Sequence, residues 1–261
     1  MTGQLVTFKN TRTPPRGPCA GLLCWCRQSR RIRQSPGEIE KAWGDNWVDA
    51  AGNWRAFIGK VRANNGTNYD QSLFVVEIPA NTDITTADSG ASTRFPTPPD
   101  GVQVRRLTTS WADGIVRCHP GSHRIAYYGG SPDAKQIFVI PLDGMEEHPD
   151  PAKRPIQLTH FQDGVTGGLR WHSSGNAVAY IVNNGIAVTS VEPGAKFGKT
   201  TFLTPCDNGP ERRNLVWSHD GRTLAYNKRT PTSDAEGNSV TDDSDRNTLQ
   251  IFLVEYTGTG R

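Results

Sequence analysis

A ten-residue pattern of apolar and polar positions recurs four times along the chain. Each copy opens on an apolar or aromatic residue, crosses a short polar stretch that contains glycine or serine, and closes on alanine followed by an aromatic residue. The copies occupy Val48–Phe57, Cys118–Tyr127, Trp171–Tyr180 and Trp217–Tyr226. Short apolar runs on either side of a glycine-containing turn predict two antiparallel strands joined by a hairpin.

Each copy is followed by two further markers. The first is a short apolar segment rich in β-branched residues, at 73–78, 137–140, 185–188 and 249–254. The second is a Leu-Thr pair that follows three of these segments, at 107–108, 158–159 and 203–204. Together the markers predict four antiparallel strands per unit, with a repeat of roughly fifty residues. Such a repeat is typical of the blades of a β-propeller, so the predicted fold is all-β.

The best copy, Trp217–Tyr226, resembles the repeat of TolB-type β-propellers, which reads W-S-x-D-G-x-x-[IL]-A-[FY] and leads to R-L-T. His219 stands where proline is usual, Ser174 replaces aspartate in the third copy, and Cys118 replaces tryptophan in the second. The order of the repeats also resembles the C-terminal part of uncharacterised TolB-related bacterial proteins, from about residue 45 to residue 256. This WD-like repeat is specific for fold and says little about function.

The markers divide the chain into two parts. Residues 1–44 do not resemble the repeats, and the stretch 12–33 within them shows neither strand nor helix periodicity. This part of the chain is expected to form an irregular or disordered leader, or to arise from a wrongly assigned start of a longer gene. Residues 45–261 hold the repeats, with blades at about 45–108, 111–159, 168–204 and 212–256. The best candidate for a helix is the segment 36–43.

Four blades are fewer than the six or more that the TolB resemblance implies. The chain is therefore either a compact ring of four or five blades or an arc of a larger propeller, and the match to a larger family favours the arc. An arc leaves an apolar blade face and a sheet edge uncovered, which predicts self-association through the open end of the propeller.

Composition narrows the partners and the compartment. The net charge is +3 and no basic stripe is present, which argues against nucleic-acid binding. No apolar run is long enough for a transmembrane helix. The apolar patch Ala20–Cys26 is too short for a standard signal peptide. The family resemblance places the protein in the periplasm if the N-terminus is incomplete, and otherwise the chain is expected in the cytoplasm.

The five cysteines give no disulfide framework, because their number is odd and their spacing irregular. Cys118 occupies the tryptophan position of a repeat and is expected to act as a small buried apolar residue. Cys19, Cys24 and Cys26 lie close together but have no fourth ligand nearby, so a zinc site among them is disfavoured.

The chain has no nucleophile elbow, phosphate-binding loop or H-E-x-x-H motif. His119 and His172 remain as candidate metal ligands, because they occupy the same register in successive blades, with His219 one position further on in the next. The resemblance extends to oligogalacturonate lyases, propeller enzymes that hold a metal with histidines near the central channel. Against a metal site, these histidines adjoin a turn between strands. No cofactor other than this candidate divalent metal is predicted.

The predicted function is a non-catalytic scaffold that binds a protein or peptide partner where loops cluster at one end of the blade ring. Two alternatives stay open. The first is a metal-dependent enzyme acting on acidic polysaccharide, similar to the oligogalacturonate lyases. The second is the orphaned propeller of a prolyl-oligopeptidase-type peptidase. The repeated tryptophans and tyrosines are expected in the core between blades, and the Leu-Thr threonines as strand hydroxyls with hydrogen-bond partners.

Overall fold

A computed structural model of the chain describes residues 37–91, 97–119, 121–242 and 246–258. Within these ranges the chain forms strands and two short 3₁₀ helices, Ile84–Thr86 and Pro151–Lys153, with no α-helix and hence no helix capable of crossing a membrane. The strands are β1 (Ile39–Trp47), β2 (Trp54–Arg62), β3 (Tyr69–Glu77), β4 (Gln103–Arg106), β5 (Ala112–His119), β6 (Arg124–Gly130), β7 (Lys135–Pro141), β8 (Ile156–Gln157), β9 (Gly167–Trp171), β10 (Ala177–Val182), β11 (Gly185–Ser190), β12 (Thr200–Phe202), β13 (Arg213–Trp217), β14 (Thr223–Thr230) and β15 (Thr248–Glu255).

The strands form four antiparallel sheets, each built from consecutive strands. The first three sheets have four strands each, β1–β4, β5–β8 and β9–β12, and the fourth has three among the described residues, β13–β15. The strand that precedes each repeated turn is the first strand of its sheet. The predicted four-stranded unit is therefore confirmed for three repeats.

The first strands of successive sheets pack against one another, β1 against β5, β5 against β9, and β9 against β13. These four strands therefore form the inner edge of a series of stacked sheets, and the later strands of each sheet lie outward. This is the arrangement of blades in a β-propeller, and the predicted all-β propeller fold is confirmed. We call the four sheets blades 1 to 4.

Residues 37–43 of the predicted helix 36–43 form no helix. Strand β1 begins at Ile39, and its residues pair with β2, Ile39 opposite Val61 and Trp43 opposite Ile58. Pairing with a strongly apolar neighbouring strand outweighs the weak helix preference of the local sequence. Blade 1 thus begins inside the segment assigned to the leader. The remainder of that leader, residues 1–36, lies outside the described residues, as do Cys19, Cys24 and Cys26.

Apolar side chains fill the space between neighbouring blades in a repeated way. We call the repeated ten-residue pattern the phrase. Its alanine lies on the side of the sheet that faces the next blade, and Ala56, Ala126 and Ala179 are fully buried there. The tyrosine that follows the alanine faces the preceding blade, as Tyr127 and Tyr180 show. The alanine and the tyrosine thus lie on opposite faces of one strand and pack in the cores on either side of the blade. Trp171 and Trp217 hold matching places, opposite Val178 and Leu224, and pack in successive inter-blade cores.

The Leu-Thr pair closes each of the first three blades with the same two hydrogen bonds. The threonine hydroxyl accepts the backbone N–H of a buried residue in the third strand, at 3.0 Å for Thr108, 2.9 Å for Thr159 and 2.9 Å for Thr204. The leucine N–H donates to the carbonyl of that same third-strand residue, at 2.8 Å in all three blades. The threonines are therefore strand hydroxyls with partners, as predicted.

Candidate functional site

The two candidate metal ligands lie at the seams between blades. His119 ends β5 in blade 2 and contacts blade 3, where its Nε2–H donates to the carbonyl oxygen of Ser173 at 3.2 Å. His172 follows β9 in blade 3 and contacts blade 4, where its Nε2–H donates to the carbonyl oxygen of Gly221 at 2.9 Å. Each ring therefore joins its own blade to the turn of the next one.

Each histidine also packs on the tryptophan of the next blade. The ring centroids of His119 and Trp171 are 5.9 Å apart, and those of His172 and Trp217 are 4.8 Å apart with the rings edge to face. Nδ1 of His172 accepts the N–H of Ser174 at 3.1 Å, which fixes the tautomer with the proton on Nε2. The repeated His position thus serves as a structural contact between blades.

No three or more His, Cys, Asp or Glu side chains come together in a way that could hold a metal ion within the described ranges. A metal on His119 or His172 would also compete for Nε2 with the carbonyl that this atom already contacts. His219 lies exposed in the blade 4 turn. Metal binding by His119 and His172 stays a prediction, which metal analysis can test.

Cys118 is partly buried against the core between blades 1 and 2. Burial raises the pKa of its thiol to about 12, so the side chain stays protonated at neutral pH. A protonated, enclosed thiol is a poor nucleophile and a poor metal ligand. This agrees with its expected place as a small apolar residue at the tryptophan position of the repeat.

Blade 4 has a second surface of interest, which the sequence did not locate residue by residue. In blades 1 to 3 one face of each sheet packs against the following blade, and this surface is the equivalent face of blade 4. We call it the open face. Its apolar residues lie on all three strands of the sheet: Val216, Ala225, Leu249, Ile251 and Leu253. Two polar residues of β14, Asn227 and Arg229, lie on the same face opposite Ile251 and Leu249.

Comparison of equivalent positions shows how unusual this exposure is. The residue that pairs with the alanine of the phrase is Val75 in blade 1, Val188 in blade 3 and Leu253 in blade 4. The exposed fraction is 0% for Val75 and 2% for Val188, but 70% for Leu253. Ile251 is 72% exposed, whereas Ile186, its equivalent in blade 3, is fully buried. The residues of the open face are core residues whose covering layer is absent from the described part of the chain.

The outer edge of blade 4 is open as well. Strand β15 has eight residues and pairs along its whole length with β14. No strand pairs with its other edge among the described residues, whereas β3, β7 and β11 each have an outer neighbour. An edge strand of this length with exposed leucine and isoleucine is a template for pairing with another chain. The signal in the sequence was the continuous apolar run from Ile251 to Val254, because apolar residues at consecutive positions are typical of a strand buried on both faces.

No family model matches the chain. The chain is 30% identical over 224 residues to the uncharacterised protein YidR of Escherichia coli K12, and the match covers 77% of this chain and 50% of YidR. The chain therefore spans about half the length of this relative.

Solved structures with similar architecture are β-propellers of low sequence identity. TolB from Acinetobacter baumannii is 12% identical with a TM-score of 0.45, over 82% of this chain and 44% of that one. The β-propeller domain of the Trilobed protease from Pyrococcus furiosus is 8% identical with a TM-score of 0.46, over 86% of this chain and 59% of that one. At these identities the likeness concerns the fold alone.

Proposed function

We propose that this chain is a non-catalytic propeller module that binds protein, and that the open face of blade 4 is its binding surface. The observation that carries the proposal is the exposure of Leu253 and Ile251 at positions that the next blade buries in each of blades 1 to 3. Contiguous exposed apolar residues on a soluble domain mark interaction sites, whereas single exposed apolar residues are ordinary.

The free energy available from covering this face is substantial. Full burial of one leucine or isoleucine side chain contributes about 1.5–3 kcal/mol. The three side chains of β15 that point to this face, Leu249, Ile251 and Leu253, are each roughly half to three-quarters exposed. Burying them would offset part of the entropy that is lost on association. Surface of this kind favours a partner with apolar side chains of its own.

The free edge of β15 adds unpaired backbone hydrogen-bonding groups to the apolar surface. A partner strand laid along this edge would satisfy unpaired backbone N–H and C=O groups, which is a recurring way in which proteins bind extended segments. The surface therefore fits a protein that supplies a β-strand or sheet with an apolar face. We take a second copy of this chain as the occupant, because β15 carries both the apolar face and the free edge that an isologous pair requires.

The test is the molar mass of the purified chain in solution, measured by light scattering across a concentration series. We expect the wild-type chain to form dimers as its concentration rises. The double variant Ile251→Lys with Leu253→Lys should remain a monomer, because two charges would be desolvated on association. The matched control is Ile156→Lys, which places lysine at a 44% exposed apolar position on the outer strand of blade 2. This control should associate as the wild type does.

Two results would contradict the proposal. One is a wild-type chain that stays monomeric at every concentration. The other is association that survives the two lysines on β15, which would place the interface elsewhere on the chain. Circular dichroism of each variant shows whether the blade remains folded. The metal-dependent polysaccharide enzyme and the orphaned peptidase propeller stay predictions, since no contact among the described residues favours either one.

A further inference from the structure

Two arginines occupy equivalent positions on the inner strands of neighbouring blades. Arg117 on β5 lies opposite Ala126, and Arg170 on β9 lies opposite Ala179, the alanines of the repeated phrase. The same position holds Asn46 in blade 1. The inner edge of blades 1 to 3 therefore presents one amide and two guanidinium groups in succession.

The two guanidinium groups meet at a single backbone oxygen. Arg117 Nε donates to the carbonyl oxygen of Leu169 at 3.2 Å, and Arg170 Nη1 donates to the same oxygen at 2.8 Å. The peptide of Leu169 is itself held in place, because its N–H donates to the Tyr128 hydroxyl at 3.0 Å. Two positive groups are thus fixed side by side on one buried residue.

Asn46 joins this row through a second shared carbonyl. The oxygen of Val116 accepts from Asn46 Nδ2 and from Arg117 Nη1, each at 3.5 Å. The contacts therefore run from blade 1 to blade 3 without interruption along the inner edge. Each guanidinium group has five N–H donors, and most of them remain free of protein acceptors within the described residues.

Neither arginine has a carboxylate partner in the part of the chain that the structure describes. Other arginines do, such as Arg106 with Asp70 and Arg212 with Asp207. Arg117 and Arg170 are both partly buried, which lowers the pKa of each guanidinium, and the positive charge of Arg170 lowers the pKa of Arg117 further. Guanidinium groups nevertheless remain charged in proteins, so the like charges repel at close range.

We propose that Arg117 and Arg170 form a binding site for an oxyanion, the carboxylate or phosphate group of a small acidic ligand, at the inner edge of blades 2 and 3. A planar guanidinium fork matches a two-oxygen anion, and two adjacent forks match a ligand with three or more acceptor oxygens. Asn46 supplies a neutral donor beside them. The site lies on inner strands away from β15, and it is independent of the protein binding proposed above.

The test is isothermal titration of the full chain at low ionic strength, with inorganic phosphate and with citrate as separate probes. We expect saturable binding of at least one probe. Arg117→Gln and Arg170→Gln should each weaken it at least tenfold, and Arg170→Lys should have an intermediate effect, because lysine keeps the charge and loses the fork. The matched control is Arg213→Gln, which removes one charge from the inner strand of blade 4 and should leave binding unchanged.

The two probes distinguish the possible sources of the anion. Binding of phosphate alone assigns a phosphate ligand, binding of citrate alone assigns a carboxylate ligand, and binding of both assigns a site for either oxyanion. A second readout is the melting temperature, which bound anion should raise in the wild type and in the Arg213 control but not in the Arg117 or Arg170 variants. Absence of binding by the wild type, or binding that both Arg→Gln variants retain, would overturn the proposal.

Discussion

The glycine in the turn of the repeated phrase meets two requirements at once. Gly175 and Gly221 each adopt a φ of +72°, a backbone conformation that side chains disfavour. Each glycine also leaves room for the histidine of the preceding blade. A β-carbon on Gly175 would lie 2.7 Å from His119, and one on Gly221 would lie 2.3 Å from Nε2 of His172. The phrase therefore depends on its glycine for the turn and for the contact between blades.

The room that Gly221 leaves for His172 can be tested by substitution. Gly221→Ala should lower the free energy of unfolding by about 2–3 kcal/mol, because alanine adds the cost of a positive φ and displaces a hydrogen-bonded histidine. The control Gly194→Ala has a similar φ of +92° and nothing within 4 Å, so it should lose only about 1 kcal/mol. Urea unfolding of the two variants measures the difference. Equal losses would show that His172 does not contact the turn of blade 4.

The repeated histidine has two explanations, a structural contact between blades and a metal ligand. His172→Ala should lower the free energy of unfolding by about 1–2 kcal/mol, because it removes the bond to Gly221 and the packing on Trp217. The exposed His219, changed to alanine in the same way, should cost less than about 0.5 kcal/mol.

Metal analysis of the purified wild type and of the His119→Ala and His172→Ala variants completes this test. We expect the same metal content in all three. Stoichiometric metal in the wild type that both variants lack would instead support the polysaccharide enzyme.

The sequence predicted the core residues of the repeat well but did not point to the arginine pair. Ala126, Ala179 and their neighbouring tyrosines follow from a local pattern, because alternation along a strand decides which face each residue serves. Arg117 and Arg170 each come directly before the first residue of the phrase, so alignment of the copies could have found them. Their meeting at the carbonyl of Leu169 follows only from packing between blades, which periodicity within one blade does not report.

Strand β1 shows the limit of local sequence patterns at the scale of single elements. The segment before Trp43 contains glutamate and lysine and resembled a short helix, yet it forms the inner strand of blade 1. Trp43 donates its indole N–H to Asp113 of blade 2 at 3.2 Å, a contact 70 residues away in the chain. Long-range contacts of this kind decide the state of short segments whose intrinsic preference is weak.

Strand β15 gives a third prediction at this scale. In a chain that is dilute enough to be monomeric, alternate amides of β15 should exchange rapidly with deuterium, because only one edge of the strand is paired. Residues Phe74–Glu77 of β3 pair with strands on both sides and should be protected throughout. Residue-resolved hydrogen exchange by NMR measures both. Uniform protection of β15 in the monomer would mean that another segment of the same chain covers its edge.

In the molecule as a whole, each blade completes the core of the preceding one. Three such cores are filled in the described residues, between blades 1 and 2, 2 and 3, and 3 and 4. The third strand of blade 4 repeats the apolar positions of the filled faces, whereas on the second strand Asn227 stands where blade 3 has the buried Ile181. The sequence predicted an uncovered blade face from the number of blades alone, and the structure identifies which strands form it. The apolar residues of this face favour an apolar partner but do not specify which segment or protein covers them.

The most direct test of this account is the urea unfolding of two truncations at equivalent positions, Val188→Ala and Leu253→Ala, in protein dilute enough to be monomeric. Val188 is covered by blade 4, so its truncation should lower the free energy of unfolding by about 2 kcal/mol. Leu253 is uncovered, so its truncation should lower it by less than about 0.5 kcal/mol although it removes more atoms. An equal or larger loss for Leu253→Ala would contradict the account, because it would show that the face is already buried within a single chain.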